Sequence, residues 1–382
     1  MISVPMSCYS PIKRFVTGSR RKSDGSMVDT ARLWPAYQLH DGRKQEVHFL
    51  YRRDSGSDWQ PWFDEEPPVS FEYLSGLKIP CGKCQGCLID KSRDWANRLL
   101  LEMQYHKSAY FVTLTYDEDH VPRSYYPDPE TGEAQPSLTL SKRDFQLFMK
   151  RLRKRHVSLI RFFACGEYGP QTFRPHYHAI IFGLELSDLV PYARNEQGDM
   201  TYQSNFLTSC WAVRDAPTRH GSATSLSADP GYFCTPLGRV VVAPVTWQSC
   251  AYVARYTTKK FYGPQAKYYE MFNIVPPFLL MSRDPGIGKQ WFLDHPDVYD
   301  FEYINVSTPD GGRKFRPPRY FDRLYDEDHP EEMANIKLDR RRMADEAMKA
   351  KVFDTSLTAG ELLEIEEQEF LKRIKPLKRK EL

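Results

Sequence analysis

Two histidines separated by one residue, His176 and His178, could bind a divalent cation in this chain of 382 residues. In a β-strand, residues two apart point to the same face, so both imidazoles would project together while Tyr177 points to the opposite face. Glu167 precedes them across a turn and could supply a third ligand from a neighbouring strand. An oxygen ligand beside two imidazoles suits Mg²⁺ or Mn²⁺ at least as well as Zn²⁺. The same short pattern also fits two histidines on the surface of a strand, with a solvated Glu167.

Two tyrosines and a lysine form a second group that could do chemistry, in the segment AYVARYTTKK (251–260). Tyr252 and Tyr256 are four residues apart and share a face on a helix, with Lys259 on the same stripe. A tyrosine hydroxyl can attack a phosphodiester and form a covalent phosphotyrosine. Because the pKa of a phenol is about 10, the attack needs a nearby cation or a metal that polarises the phosphate. The alternative is that both tyrosines pack against a sheet as core aromatics.

Three cysteines, Cys81, Cys84 and Cys87, occur in the compact segment CGKCQGC. Thiolates at this spacing can hold zinc, but a structural zinc usually has four ligands, and Cys8 is the fourth ligand that we expect. An iron–sulfur cluster or a turn with buried free thiols fits the same spacing. The N-terminus lacks the apolar stretch of a secretion signal, so we expect the eight cysteines of the chain to stay reduced.

The elements predicted around these residues alternate between strands and helices. They are a helix capped by Ser92, a strand at 109–117, a helix capped by Ser141 with Asp144, strands at 160–168 and 176–184 joined as a hairpin, and a helix in the middle of 245–263. This order predicts an α+β fold, with a central antiparallel sheet flanked by helices. Composition divides the chain into an irregular N-terminal segment with the cysteine group (1–90), a central domain (91–325) and a charged helical tail (326–382).

The helix that follows Ser141 carries a dense row of cations, although the net charge of the chain is only +3. Such a row predicts contact with DNA phosphates, and its alternative is a solvated outer face. The DNA-binding residues that we predict are Lys150, Arg151, Arg153, Lys154, Arg155 and Arg255. No apolar stretch approaches the length of a membrane span, so we expect no membrane partner.

Several stretches of the sequence together resemble the motifs of a known protein family. They are PCGKCQGC (80–87), FVTLTYD (111–117), CGEYGPQTFRPHYHAIIFG (165–183), YVARYTTKK (252–260), SRDPGIG (282–288) and PPRYFDRL (317–324). In these stretches and in their order, the chain resembles the HUH endonucleases, and more narrowly the replication initiators of gokushovirus-type bacteriophages in the microvirus family. The resemblance implies an RRM-like palm as the central sheet.

The resemblance also implies an activity: nicking of the double-stranded circular phage genome at its origin. One tyrosine becomes linked to the 5′ phosphate, the freed 3′ hydroxyl primes rolling-circle synthesis, and the second tyrosine closes the circle. By position, His176 and His178 match the metal pair, Glu167 the third ligand, Tyr252 and Tyr256 the alternating nucleophiles, and Lys259 the lysine after the second tyrosine. Arg255 stands where related phages often carry a lysine, and a guanidinium keeps the charge but does not readily exchange a proton.

The partners implied are single- and double-stranded phage origin DNA in the cytoplasm of a bacterial host. A host polymerase would extend the 3′ hydroxyl. A host helicase would separate the strands, because the segment GIGK (286–289) lacks the spacing of an ATP-binding loop. Two other functions remain open from the residues: a zinc-stabilised nucleic-acid-binding protein without catalysis, and an enzyme of the relaxase or transposase type.

Overall fold

The computed structural model describes residues 8–23, 25–169, 171–195, 198–214, 234–255, 264–308 and 311–374. They form two compact units. One contains Lys91–Phe321, and the other contains the residues up to Asp90 together with those from Asp322 onward. The three-part division drawn from composition stays a prediction. Among the described residues, every helix is too short or too polar to cross a membrane.

The strands of the described chain are β1 (Ile12–Arg21), β2 (Met27–Pro35), β3 (Tyr37–His40), β4 (Arg43–Glu46), β5 (Phe49–Arg52), β6 (Gln60–Trp62), β7 (Glu72–Ile79), β8 (Ala109–Thr115), β9 (Arg123–Pro127), β10 (Ala134–Leu138), β11 (Arg161–Tyr168), β12 (Pro175–Phe182), β13 (Val190–Arg194), β14 (Met200–Gln203), β15 (Ala212–Arg214), β16 (Cys234–Pro236), β17 (Val240–Pro244), β18 (Phe278–Met281), β19 (Ile304–Thr308) and β20 (Gly311–Phe315). The helices are α1 (Gln85–Met103), α2 (Lys142–Arg155), α3 (Asn205–Cys210), α4 (Trp247–Arg255), α5 (Pro264–Met271), α6 (Lys289–Asp294), α7 (Arg319–Asp328), α8 (Pro330–Phe353) and α9 (Ala359–Ile374), with a 3-10 helix at Pro296–Tyr299.

A seven-stranded sheet forms the centre of the unit Lys91–Phe321, in the order β13-β14-β17-β8-β12-β11-β18. Each pairing in it is antiparallel. Three adjacent strands of the sheet, β8, β12 and β11, are rich in β-branched and aromatic residues, and every residue of β11 is buried. This confirms the predicted α+β class, the strand over 109–117 and the hairpin of β11 with β12.

Helices cover both faces of this sheet. On one face the apolar side of α2, including Phe145 and Leu152, packs in a core with Tyr177 and Ile181. On the other face α1 and α4 pack in a second core that contains Ile180 of β12. Since the face alternates along β12, His176 and His178 belong to the α1 and α4 side, and Tyr177 belongs to the α2 side.

The two predicted helix starts have different outcomes. Ser141 is the N-cap of α2, and its Oγ accepts a hydrogen bond of 3.2 Å from the backbone N–H of Asp144, which confirms that prediction. The predicted start at Ser92 is wrong, because Ser92 is buried within α1. The backbone N–H of Leu88 donates to the carbonyl of Cys84 at 3.0 Å, so the helix already begins inside the cysteine segment.

The expectation of an irregular N-terminal segment is also wrong. It contains a five-stranded antiparallel sheet in the order β2-β1-β7-β5-β6. The alternation of apolar and polar residues is weak there because most positions of β1 and β2 are exposed or half-buried, so little of either strand faces a core. The described part of the charged C-terminal segment, up to residue 374, is helical in α8 and α9 as predicted.

Candidate metal and nucleophile site

Adjacent strands bring the three predicted metal ligands together. Glu167 on β11 pairs directly with His176 on β12, and His178 lies two residues further along the same face. Oε1 of Glu167 lies 3.3 Å from Nε2 of His176 and 3.2 Å from Nε2 of His178. All three ligand atoms lie within 4.8 Å of one another. The structure therefore converges one carboxylate and two imidazoles on a volume that a single cation could occupy.

Hydrogen bonds at the other ring nitrogens orient both histidines. Nδ1 of His176 lies 3.1 Å from the carbonyl oxygen of Arg174, which can only accept, so this nitrogen carries the proton in the neutral ring. Nδ1 of His178 lies 3.0 Å from Oγ1 of Thr113, whose hydroxyl can accept in the same way. In this tautomer each Nε2 has a lone pair available for a cation bound beside Glu167. This is the tautomer that a histidine needs to bind a metal through Nε2.

Electrostatics at the site keep Glu167 ionised. The side chain is buried, only 3% exposed, and burial by itself would raise its pKa. Without a cation, protons on the Nε2 atoms of His176 and His178 supply hydrogen bonds and attraction that outweigh this and hold the pKa of Glu167 well below its usual range. A buried carboxylate that stays charged requires compensating positive charge, and a bound cation would supply it.

Tyr177 occupies the sheet face opposite to the histidines, as predicted. Its side chain is fully buried, and its hydroxyl donates to the carbonyl of Ser141 at 2.8 Å and accepts from the backbone N–H of Ser141 at 3.0 Å. A third contact, of 2.9 Å, joins its hydroxyl to that of Tyr116. These bonds tie β12 to the N-terminus of α2, so the residue between the two ligands fixes the strand that carries them.

Tyr252 on α4 reaches the predicted metal ligands. Its hydroxyl lies 3.5 Å from Nε2 of His178, and the two rings meet edge to face with centroids 5.2 Å apart. Phe111 of β8 stacks on His178 and contacts Tyr252 with its edge, at centroid distances of 5.3 and 6.1 Å. The guanidinium of Arg255, one turn of α4 further on, lies 5.1 Å from the centre of the Tyr252 ring. Tyr256 and Lys259 lie outside the described residues.

Sequence reasoning missed the two residues of β8 that support His178. Phe111 and Thr113 belong to the FVTLTYD stretch, which we had assigned only as a strand. Their spacing of two places them on one face, which is a readable signal, but nothing local shows that this face meets the histidines. The register that sets Thr113 opposite His178 supplies this information.

The basic residues of α2 lie on the other face of the sheet from His178. Three of the predicted DNA-binding arginines also make bonds within the chain. Arg151 donates to the carbonyl of Cys210 at 2.9 Å, Arg155 to Oγ of Ser209 at 2.6 Å, and Arg153 to the carbonyl of Ile160 at 3.3 Å. Lys150 and Lys154 are exposed. DNA binding by this helix stays a prediction, and it would involve DNA on the opposite side of the sheet from Tyr252.

The other unit holds the four predicted zinc ligands. The Sγ atoms of Cys8, Cys81, Cys84 and Cys87 lie within 4.8 Å of one another. Hydrogen bonds from Cys8 and Cys87 lower the pKa of Cys84, and its bond to Cys84 raises the pKa of Cys8. None of these four cysteines is in a disulfide in the structure, and the reduced state expected from the sequence stays a prediction.

Comparison with known proteins finds similarity over the region that carries the Glu–His–His group and Tyr252. A family model whose description begins "Replication-associated protein ORF2" matches residues 109–261. The chain is 29% identical over 276 residues to the replication-associated protein ORF2 of Spiroplasma virus 4, a match that covers 71% of this chain and 76% of that protein. It is 28% identical over 285 residues to the replication-associated protein VP4 of Bdellovibrio phage phiMH2K, with the same two coverages of 71% and 76%. A third relative, replication-associated protein ORF4 of Chlamydia phage 1, is 29% identical over 191 residues, which are 48% of this chain and 38% of that protein. No solved structure matches.

Proposed function

We propose that this chain, which belongs to the microvirus-type replication-associated proteins, nicks and rejoins phage DNA through a covalent 5′-phosphotyrosine and so starts rolling-circle replication. In this proposal its central sheet is the palm of an HUH endonuclease, and its substrate is phage origin DNA in the cytoplasm of the bacterial host. One observation carries the proposal. The hydroxyl of Tyr252 lies 3.5 Å from Nε2 of His178, which itself converges with His176 and Glu167.

The Glu–His–His donor set fits a divalent cation such as Mg²⁺ or Mn²⁺. The fit rests on the two Nε2 lone pairs and the ionised Glu167, which converge on one small volume. When bound, the cation would polarise the scissile phosphate and stabilise the negative charge that develops on it. The rigid strands and the hydrogen bonds at both Nδ1 atoms would hold the ligands ready for binding.

Tyr252 would supply the nucleophile. Its Oη forms a bond to phosphorus as the bond from phosphorus to the 3′ oxygen breaks, so that the 5′ phosphate becomes attached to the protein. The phenol loses a proton and the released 3′ oxygen gains one. One phosphodiester is thus exchanged for another, and a 3′ hydroxyl can reverse the step to rejoin the DNA. Arg255, which lies against the Tyr252 ring, would contact the negative phosphate.

A second nucleophile explains how one protein chain could both start and finish a round of replication. Tyr252 stays esterified while the host polymerase and helicase copy the circle, so the regenerated origin needs a fresh hydroxyl. Tyr256, four residues later in the sequence, would supply it, and Lys259 would neutralise charge on the phosphate. These two roles rest on sequence spacing and on the family resemblance.

The test is cleavage of the supercoiled circular phage genome by the purified full chain with Mn²⁺ or Mg²⁺. We expect open circles that carry the protein on a 5′ end, and loss of the adduct to Tyr252 in the Tyr252→Phe variant. Tyr125→Phe is a matched control, since this tyrosine is 59% exposed on β9 and has no predicted role. Tight binding without cleavage would favour the nucleic-acid-binding alternative. Open circles without attached protein would exclude a tyrosine nucleophile.

A further inference from the structure

The four cysteines of the N-terminal unit form a compact tetrad. Sγ of Cys81 lies 4.0 Å from Sγ of Cys87, and Sγ of Cys84 lies 3.9 Å from Sγ of Cys8. Cys8 and Cys87 are buried, and the other two are half-buried. A disulfide needs sulfurs about 2.0 Å apart, so the tetrad is not two bridges in this structure.

Separate elements assemble this tetrad. Cys8 precedes β1 and Cys81 follows β7, and the paired strand ends Ile12 and Ile79 bring these two cysteines to one place. The chain then turns at Gly82, whose φ of +72° is in the left-handed region that glycine adopts without strain. The turn leads into α1, so Cys84 and Cys87 lie at the start of a helix, where the partial positive charge favours thiolates.

Backbone N–H groups point at the sulfurs. The N–H of Cys81 donates to Sγ of Cys8 at 3.2 Å, and the N–H groups of Lys83 and Cys84 donate to Sγ of Cys81 at 3.4 and 3.2 Å. Such bonds stabilise negative charge on sulfur, and the thiolate is the form that binds metals. A turn that merely buried neutral thiols would have no need of several donors aimed at two of them.

We propose that Cys8, Cys81, Cys84 and Cys87 bind one structural Zn²⁺. Tetrahedral zinc with Zn–S bonds of about 2.3 Å places its sulfurs about 3.8 Å apart, close to the 3.9 and 4.0 Å observed here. In a [2Fe–2S] cluster two cysteines bind each iron and in a [4Fe–4S] cluster one does, so some of the four sulfurs would sit on different irons and lie further apart than the 4.8 Å that encloses all four here. All four positions around the ion are taken by protein, which is the mark of a structural rather than a catalytic zinc.

The zinc would hold the N-terminal strand in place. It links Cys8 to residues more than 70 positions later, at the point where β1 and β7 pair. The ring of Tyr9, next to the first ligand, lies 5.7 Å from that of Phe370 on α9. Removing the ion would therefore free the start of β1 and its contact with α9, and would leave the metal ligands on β11 and β12 untouched.

The experiment is zinc analysis of the purified full chain, without DNA, so its result is independent of the proposed cleavage. We expect about one zinc per chain, its loss in Cys84→Ser, and its retention in Cys234→Ser, a matched control that removes a thiol outside the tetrad. Retention in His176→Ala as well would show that the zinc belongs to the cysteines rather than to the Glu–His–His site.

A second measurement does not depend on whether Cys84→Ser folds. Wild-type protein prepared with Co²⁺ should show the charge-transfer and visible absorption of tetrahedral cobalt thiolate. Wild-type protein that holds neither zinc nor this absorption would overturn the proposal. So would stoichiometric iron in the tetrad, or an intact mass, taken without reductant, that is lower by the hydrogens of two disulfides.

Discussion

Replacing Thr113 by valine should weaken cation binding at the Glu–His–His site without unfolding the protein. Valine has the shape and strand preference of threonine but no hydroxyl, so the change removes the contact of 3.0 Å with Nδ1 of His178. His178 is only 8% exposed, so water cannot fully replace that partner.

The expected size follows from what His178 can do with and without a cation. In the metal-free variant its proton can move to Nε2 and bond Oε1 of Glu167, 3.2 Å away. A cation bound at Nε2 prevents this shift of the proton and leaves Nδ1–H buried without an acceptor. This costs about 1–3 kcal/mol of the free energy of cation binding. This agrees with the loss of about 10–100-fold in affinity that is typical when a group behind a metal-binding histidine is removed.

The assay is titration of the full chain with Mn²⁺ by calorimetry, followed by the Mn²⁺ dependence of nicking. Thr115→Val is the matched control. Thr115 is on the same strand, opposite His176, but its hydroxyl donates to the carbonyl of Arg239 and not to a histidine. Equal Mn²⁺ affinity in wild type and Thr113→Val, with the control also unchanged, would refute the assigned orientation of His178.

Three further predictions concern the proposed nucleophiles, the buried hydroxyl of Tyr177 and the buried carboxylate of Glu102. Tyr252→Phe and Tyr256→Phe should each leave partial cleavage of origin DNA and together abolish it; efficient nicking by the double variant would contradict their role. Tyr177→Phe should lower the free energy of unfolding by about 1–3 kcal/mol in urea, because the backbone N–H and carbonyl of Ser141 lose their buried partner; an unchanged midpoint would show that water replaces the hydroxyl. Burial by itself would raise the pKa of Glu102, but hydrogen bonds from His106, a backbone N–H and Arg161 lower it below the usual value. The charged carboxylate therefore stabilises the fold fully above the unfolded pKa of about 4.3, and this stabilisation is lost as pH falls through the lower pKa of the folded state. Glu102→Gln should therefore narrow the difference in the free energy of unfolding between pH 7 and pH 3. An equal pH dependence in both proteins would show that Glu102 does not contribute to the loss of stability in acid.

The hairpin with the predicted metal ligands could be predicted from the sequence because its signals are local. Alternation along a strand places His176 and His178 on one face whatever surrounds them. A turn-rich segment after an apolar run makes the hairpin, and Glu167 then pairs across it with His176. The start of α2 was equally local, since Ser141 caps a helix through a residue only three positions away.

Failures occurred where the deciding contact was not local or the signal was weak. The cap expected at Ser92 assumed that the cysteine segment ends before the helix, whereas α1 begins within it. The strands β1 and β7 were missed because few of their side chains are buried, and their pairing joins positions more than 60 residues apart. Thr113 could not be assigned a role until β8 was placed beside β12.

Residue types and short spacings were therefore enough to name the groups capable of chemistry. These are the Glu–His–His donors, Tyr252 in a later helix, and a cysteine tetrad that includes Cys8. Which of them meet was decided by the fold. The alignment of β8, β12 and β11 and the packing of α4 bring Tyr252 to His178, while α2 and its cations are placed behind the sheet. The reason is physical: the direction of a side chain follows from the backbone period of its own strand or helix, but its neighbours depend on pairings between distant segments, which are selected by the burial of whole faces.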